Sequence, residues 1–243
     1  MCMNDFLVKI CAFFILTGVL STILAGCSGR ARPVYPPADS VRLAVVQRQD
    51  FVNAYLHGRW CDAEVAFERS IGNFLAQDDF CGAARNYILA YKLRSYSNVD
   101  LPELLERADE LASLDPECAY GKQESTGLSV SKKDQHYLDL MKNEQFSILK
   151  NELKSEDDPL FASVYARKAA RAALCADQPD LAEELVSTAR DIDARQGWIV
   201  FLIEDWKLRK SMASSDQDRQ SIEKRIDLLQ KQIHVCPGVF EDF

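Results

Sequence analysis

"YLHGRWCDAEVAFERSI", residues 55–71, sets the reading of the whole chain. A helical pattern ending in Tyr55-Leu56 runs into His57-Gly58, and a second pattern opens beyond Trp60 with Ala63, Phe67 and Ser70 in register. Glycine supplies the backbone freedom of a tight turn, and small side chains are needed where two packed helices touch. The stretch therefore predicts a helical hairpin, with helices over 42–57 and 61–76.

The same grammar extends along the chain. There are few glycines and almost no alternating apolar and polar runs of the kind that mark strands. Leu101, Leu104, Leu105, Ala108, Leu111 and Ala112 fall on one face at helical spacing, with Asp100 placed to cap the helix and Pro102-Glu103 in its first turn. Asp177-Gln178-Pro179-Asp180 repeats this start signal ahead of Ala182, Leu185, Val186, Ala189 and Ile192, and Asp158-Pro159 does so ahead of Ala162, Tyr165, Ala166, Ala169 and Ala173. Further helices are predicted over 80–95, 101–113, 132–142, 144–155, 159–176, 180–195, 198–213 and 217–234. The expected fold class is all-α: an antiparallel helix-hairpin α-solenoid of about ten helices joined by short turns.

Gly58, Trp60, Ala63, Phe67 and Ser70 resemble the centre of a tetratricopeptide repeat, except that Ser70 stands where that family has alanine. Weaker echoes are Phe80, Ala83, Tyr87 and Ala90 after Gln77-Asp78-Asp79, and Leu181, Ala182, Leu185 and Ala189 after Ala176-Asp177-Gln178. Ala63 and Ala83 are 20 residues apart, whereas the family period is about 34. The resemblance implies a tetratricopeptide-like solenoid without fixing a repeat count; a plain helical bundle with the same turn chemistry is the alternative.

Ahead of this region, the apolar run Ile10–Leu24 holds 15 residues, short of the roughly 20 that a spanning helix needs. Lys9 precedes it and the small pair Ala25-Gly26 follows, as in a secretory signal peptide; Asp5 dilutes the positive charge and leaves a retained anchor as the alternative. Leu24-Ala25-Gly26-Cys27 resembles the lipobox of bacterial lipoproteins, a likeness confined to residues 1–28. It implies that Cys27 takes a diacylglycerol, becomes the first residue of the mature chain and is acylated on its amine. Several acyl chains anchor where one would not. Ser28 implies sorting to the outer membrane, so the expected location is the bacterial cell envelope, lipid-anchored and facing the periplasm. Residues 29–39, "GRARPVYPPAD", read as a stiff tether.

Removal of residues 1–26 takes only Lys9 and Asp5 from the 29 basic and 37 acidic residues, so the net charge of −8 persists. Such a surface disfavours nucleic acid as a partner. Residues 115–130 have no periodicity, and Gly121-Lys122 lacks the order of a phosphate loop. The resulting layout is a signal peptide (1–26), a lipid-anchored Pro-rich tether (27–39), an N-terminal helical lobe (40–113), a hinge loop (114–130) and a C-terminal helical lobe (131–243).

Cys61, Cys81, Cys118, Cys175 and Cys236 would enter an oxidising compartment, an odd set. Cys61 and Cys81 open consecutive antiparallel helices and so lie about 24 Å apart, beyond the roughly 7 Å that a disulfide spans between Cα atoms. Cys81 and Cys118 fall at the same end and form the candidate pair, against the alternative that all five stay unbridged.

No catalytic motif emerges, and no enzyme, cofactor or metal is expected. His57, His136 and His234 stand apart; His234 and Cys236 could give two metal ligands, but zinc wants four. The acidic pairs Asp78-Asp79, Asp157-Asp158 and Glu183-Glu184 sit at turns or helix starts, where the helix dipole accounts for them. Recognition is hinted at only in "GWIVFLIEDWKLRK", residues 197–210. Trp198, Phe201, Leu202, Asp205, Trp206 and Arg209 share a helical face, and Trp198, Trp206 and Arg209 are the candidate partner-binding residues. A helix buried between neighbours explains the same pattern. The expected function is a lipid-anchored scaffold that binds an envelope protein or peptide, with the membrane engaged through the N-terminal lipid. A helical-repeat component of a periplasmic small-molecule uptake system is the alternative. A pocket lined with tryptophan and arginine would favour the alternative, an open groove the scaffold.

Overall fold

Ten α-helices carry the residues that the computed structural model describes, 39–118 and 132–236, and no strand forms among them. They are α1 (Asp39–Leu56), α2 (Trp60–Leu75), α3 (Phe80–Tyr96), α4 (Glu103–Ser113), α5 (Lys132–Lys142), α6 (Phe146–Lys154), α7 (Pro159–Cys175), α8 (Pro179–Gln196), α9 (Ile199–Met212) and α10 (Asp216–Gln230). Residues 1–38, where the leader, Cys27 and most of the tether are expected, and residues 119–130 of the 114–130 loop lie outside the described residues. No helix of the described residues is long and apolar enough to cross a membrane.

The turns follow from local chemistry. Gly58 and Gly197 adopt φ of +73° and +70°, and Gly197 is the left-handed cap that ends α8. Asp158 accepts backbone N–H bonds from Leu160 and Phe161, so that Asp158-Pro159 starts α7 as its sequence suggests. Two expected caps are corrected. Helix α4 begins at Glu103 behind Pro102 with no side-chain cap, and the Asp100 carboxyl is bonded with Tyr91 instead. Asp177 takes φ of 57°, closing the turn after α7, and Gln178 precedes α8 without a side-chain bond.

Consecutive helices pack as hairpins: α1 on α2, α3 on α4, α7 on α8, with α8 on α9 and α9 on α10. Small residues permit the α7–α8 contact: Ala166, Ala169, Ala170 and Ala173 face the same core as Ala182 and Ala189, all at 0 % exposure. Another core cluster joins Phe51, Tyr55 and Leu56 of α1 to Ala162 and Val164 of α7 and Phe201 of α9. Helices on both sides of the 114–130 loop thus share one apolar cluster.

The family-like positions of the opening stretch lie at the α1–α2 interface. Trp60 stacks on Tyr55 at 6.1 Å, Phe67 meets Phe51 at 5.1 Å, and Ala63 is buried. Ser70 donates to the Ala44 carbonyl at 2.7 Å and accepts from Asn86 Nδ2 at 2.6 Å, a relay across α2, α1 and α3.

Helix α10 stops at Gln230, short of the expected residue 234. The chain there turns back onto the first hairpin: His234 N–H donates to the Gly58 carbonyl at 2.8 Å, and Trp60 N–H donates to the His234 carbonyl at 3.0 Å. Those backbone bonds compete with another helical turn and prevail. Two residues on, Cys236 is bonded to Cys61, with Cα atoms 5.0 Å apart.

The last three-helix contact is polar. Arg167 of α7, 2 % exposed, donates to Asp193 of α8 at 2.6 Å, to Asp205 of α9 at 2.7 Å and to Ser163 Oγ at 3.0 Å. Its guanidinium lies 4.4 Å from the Phe201 ring centroid.

Candidate functional site

A notch of about 290 Å³ opens between α9 and α10. The α9–α10 turn shapes it: Ala213 is extended, and Ser215 caps α10 by accepting from Asp218 N–H. From there one face of α10 presents Asp218, Ser221, Ile222 and Arg225, at the three- and four-residue steps that place side chains in a row. Trp206, Arg209 and Met212 form the opposite wall from α9 by the same spacing, and Glu183 reaches in from α8.

Trp206 is the centre of this site. Three guanidiniums surround its indole: Arg225 at 4.9 Å from the ring centroid, Arg190 at 5.4 Å and Arg209 at 5.5 Å. Arg209 is paired with Glu183 at 2.8 Å, and Arg190 with Asp191 at 3.3 Å. Arg225 forms no ion pair among the described residues, so no described carboxylate occupies its guanidinium donors.

The candidate residues from the sequence separate. Trp206 and Arg209 line the notch, whereas Trp198, 8 % exposed, precedes α9 and packs into the core with Phe201 at 6.1 Å. Phe201 and Asp205, on the same face of α9, are buried. Arg190 and Arg225 come from other helices and carry no signal in the Trp206 segment.

A second cavity of about 390 Å³ lies where the α6–α7 turn meets α8, with Lys154, Glu156, Asp157 and Arg195 mixed around it and no aromatic residue. Its balanced charge recommends no particular ligand.

Among the described residues, the cysteines are brought together in two pairs. Cys81 and Cys118 are bonded with Cα atoms 5.4 Å apart, and Cys61 with Cys236, leaving Cys175 free and exposed. The Cys61–Cys236 pairing takes Cys236 away from any metal set with His234. No group of three or more His, Cys, Asp or Glu among the described residues is placed to hold a metal ion. His57 Nδ1 lies 2.7 Å from the Asn53 carbonyl, and His136 Nε2 lies 2.8 Å from Glu152.

Titration behaviour elsewhere reflects burial. Lys168, set over the rings of Tyr96 at 4.9 Å and Tyr165 at 5.1 Å, has its pKa lowered by burial, with Lys92 and Arg171 adding to the effect against the pull of Asp134. Burial pushes the Tyr137 hydroxyl up to about 12, reinforced by Glu156. Neither group is joined to the notch.

No protein family, curated protein or solved structure matches this chain.

Proposed function

We propose that the chain is a lipid-anchored scaffold of the bacterial cell envelope, held at the outer membrane through Cys27 and binding another protein or peptide through its helical surface. The tetratricopeptide-like hairpin at Gly58 and the lipobox at residues 24–27 support the two halves of this reading.

The observation that carries the docking half is Arg225 beside Trp206: a guanidinium on an indole with no ion pair among the described residues, at a notch also lined by Met212 and Ile222. Tryptophan and arginine dominate binding energy at interfaces. The chemistry suits an apolar anchor side chain with a carboxylate beside it, the carboxylate taken by Arg225 in a two-pronged hydrogen bond.

Tryptophan and arginine in a pocket also favour the second reading, a component of a small-molecule uptake system. Size favours the scaffold. The notch, at about 290 Å³, lies at the floor of the roughly 300–1,000 Å³ that sites enclosing small ligands occupy, so it seats one anchor better than a whole solute.

The test is crosslinking and affinity capture from intact envelopes, with wild type compared with Cys27→Ser and with Trp206→Ala/Arg225→Ala. A discrete protein retained by wild type and lost from the double variant is the expected result. Retention of no protein by any form would overturn the scaffold reading.

A further inference from the structure

The Arg167 cluster holds one cation and two acids, so with both acids ionised it carries a net negative charge inside the core. Asp193 and Asp205 are 0 % and 1 % exposed. Each gives one oxygen to Arg167, while Asp193 Oδ1 and Asp205 Oδ2 are buried without a hydrogen-bond donor. The two carboxyls lie within hydrogen-bonding reach of each other. Ionised carboxylates only accept, so as a pair of anions they repel and leave those oxygens unsatisfied. One proton on either acid converts it into a donor for the other and brings the cluster to neutrality.

We propose that Asp193 and Asp205 share a single proton, and that this proton latches α7, α8 and α9 around Arg167 and is released on alkalinisation.

The surrounding charges do not supply the missing donor. On α7, Arg171 faces Glu204 at 3.6 Å; on α9, Glu204 also takes Lys207 at 2.8 Å and Asn98 of the turn after α3. On α8, Arg190 is the remaining cation near Asp205, and it is occupied by Asp191 and the Trp206 ring. Helix α1 contributes Tyr55, which faces Ser97 and feels Glu204. Lys150 of α6 is paired with Glu184, Asp134 of α5 accepts from Tyr165, and Arg225 of α10 lies on Trp206. Burial pushes the Asp193 carboxyl up to about 8, with Arg167 and a Ser163 hydrogen bond pulling it down and Asp205 adding to the rise, while Asp193 Oδ1 stays without a partner; burial also raises Asp205.

The direction of the pH effect follows. An unfolded aspartate ionises near pH 4, whereas the folded pair keeps its proton to about pH 8. Between those values the folded state binds one proton more than the unfolded state, so the contribution is fullest below pH 4 and is lost as the pH rises through 8. Inside the window this site lowers the folding constant about tenfold per pH unit.

The test uses carboxyl-labelled aspartate in the full chain, followed by carbon NMR, together with urea unfolding of wild type, Asp193→Asn and Asp205→Asn across the same pH range. An asparagine amide can donate where the proton does and is insensitive to pH. One aspartate resonance titrating near pH 8 in wild type is expected, absent from both variants. At least one variant should match wild type near pH 6 and exceed its folding constant above pH 8. If every aspartate carboxyl of folded wild type titrates below about pH 5, the shared proton does not exist; if wild type and folded variants keep a constant ratio of folding constants between pH 6 and 9, it is not a latch.

Discussion

Arg225 rests its guanidinium 4.9 Å from the centre of the Trp206 ring and spends none of its hydrogen bonds on a carboxylate of the described chain. The pair therefore costs little to remove from the free protein and much to remove from a complex. Arg225→Ala should change stability by less than about 1 kcal/mol but weaken partner binding by about 2 kcal/mol or more, roughly thirtyfold. Thermal melts beside quantitative capture check both halves; an equal effect on the two would assign Arg225 a structural role only.

Three glycines give opposite outcomes when replaced by alanine. Gly58 has φ of +73°, and a Cβ there would stand 3.2 Å from Ile233 Cγ1, whereas Gly197 has φ of +70° with nothing nearer than 3.6 Å. Gly197→Ala should destabilise by about 1 kcal/mol through backbone strain alone, and Gly58→Ala by more. Gly72 lies inside α2 with open space around it, so Gly72→Ala should stabilise by about 0.5–1 kcal/mol. Urea midpoints of the three variants rank them.

The bonded cysteines enclose very different lengths of chain, 175 residues for Cys61–Cys236 and 37 for Cys81–Cys118. Chain-entropy arguments assign roughly 5 kcal/mol to the longer loop and about 4 kcal/mol to the shorter when each is taken alone. Cys236→Ser should accordingly lower the melting temperature at least as far as Cys118→Ser. Non-reducing peptide mapping checks the connectivity at the same time.

Replacing Arg167 by methionine leaves two buried acids without their cation, and we expect a loss of about 3–5 kcal/mol. Ser70→Ala would bring the chain closer to the tetratricopeptide pattern yet should destabilise it by about 1–3 kcal/mol, because Asn86 Nδ2 would lose its acceptor inside the core. Equilibrium unfolding of each single variant reads the two costs.

Helix positions were legible because period and turn chemistry are local. Pro159 behind Asp158 starts α7 as its sequence suggests, and the expected helices over 61–76 and 132–142 lie within a residue of α2 and α5. Other ends were misjudged: α1 begins at Asp39 instead of residue 42 and α6 at Phe146 instead of 144, while at α4 and α10 a distant or competing group decides, Asp100 being drawn to Tyr91 and His234 to the backbone of Gly58 and Trp60. The notch was legible only in part. Trp206 and Arg209 belong to one segment, but Trp198, two turns earlier on that face, meets α1 while Trp206 meets α10, and spacing along a helix says nothing of what lies at each level. Arg190 and Arg225 arrive from other helices. The buried acids had a signal that went unused, since Arg167 falls on the alanine face of α7, where a charge demands a partner.

In most stacks of helical hairpins the first and last units are loose ends, and melting can creep inward from either. Here residues 233–236 are stitched to the turn that begins the stack, by backbone bonds and by sulfur. That clasp combines sulfur with backbone bonds, so reducing its disulfide should loosen residues 233–236 first, while the apolar cluster shared by α1, α7 and α9 still holds the first hairpin in place.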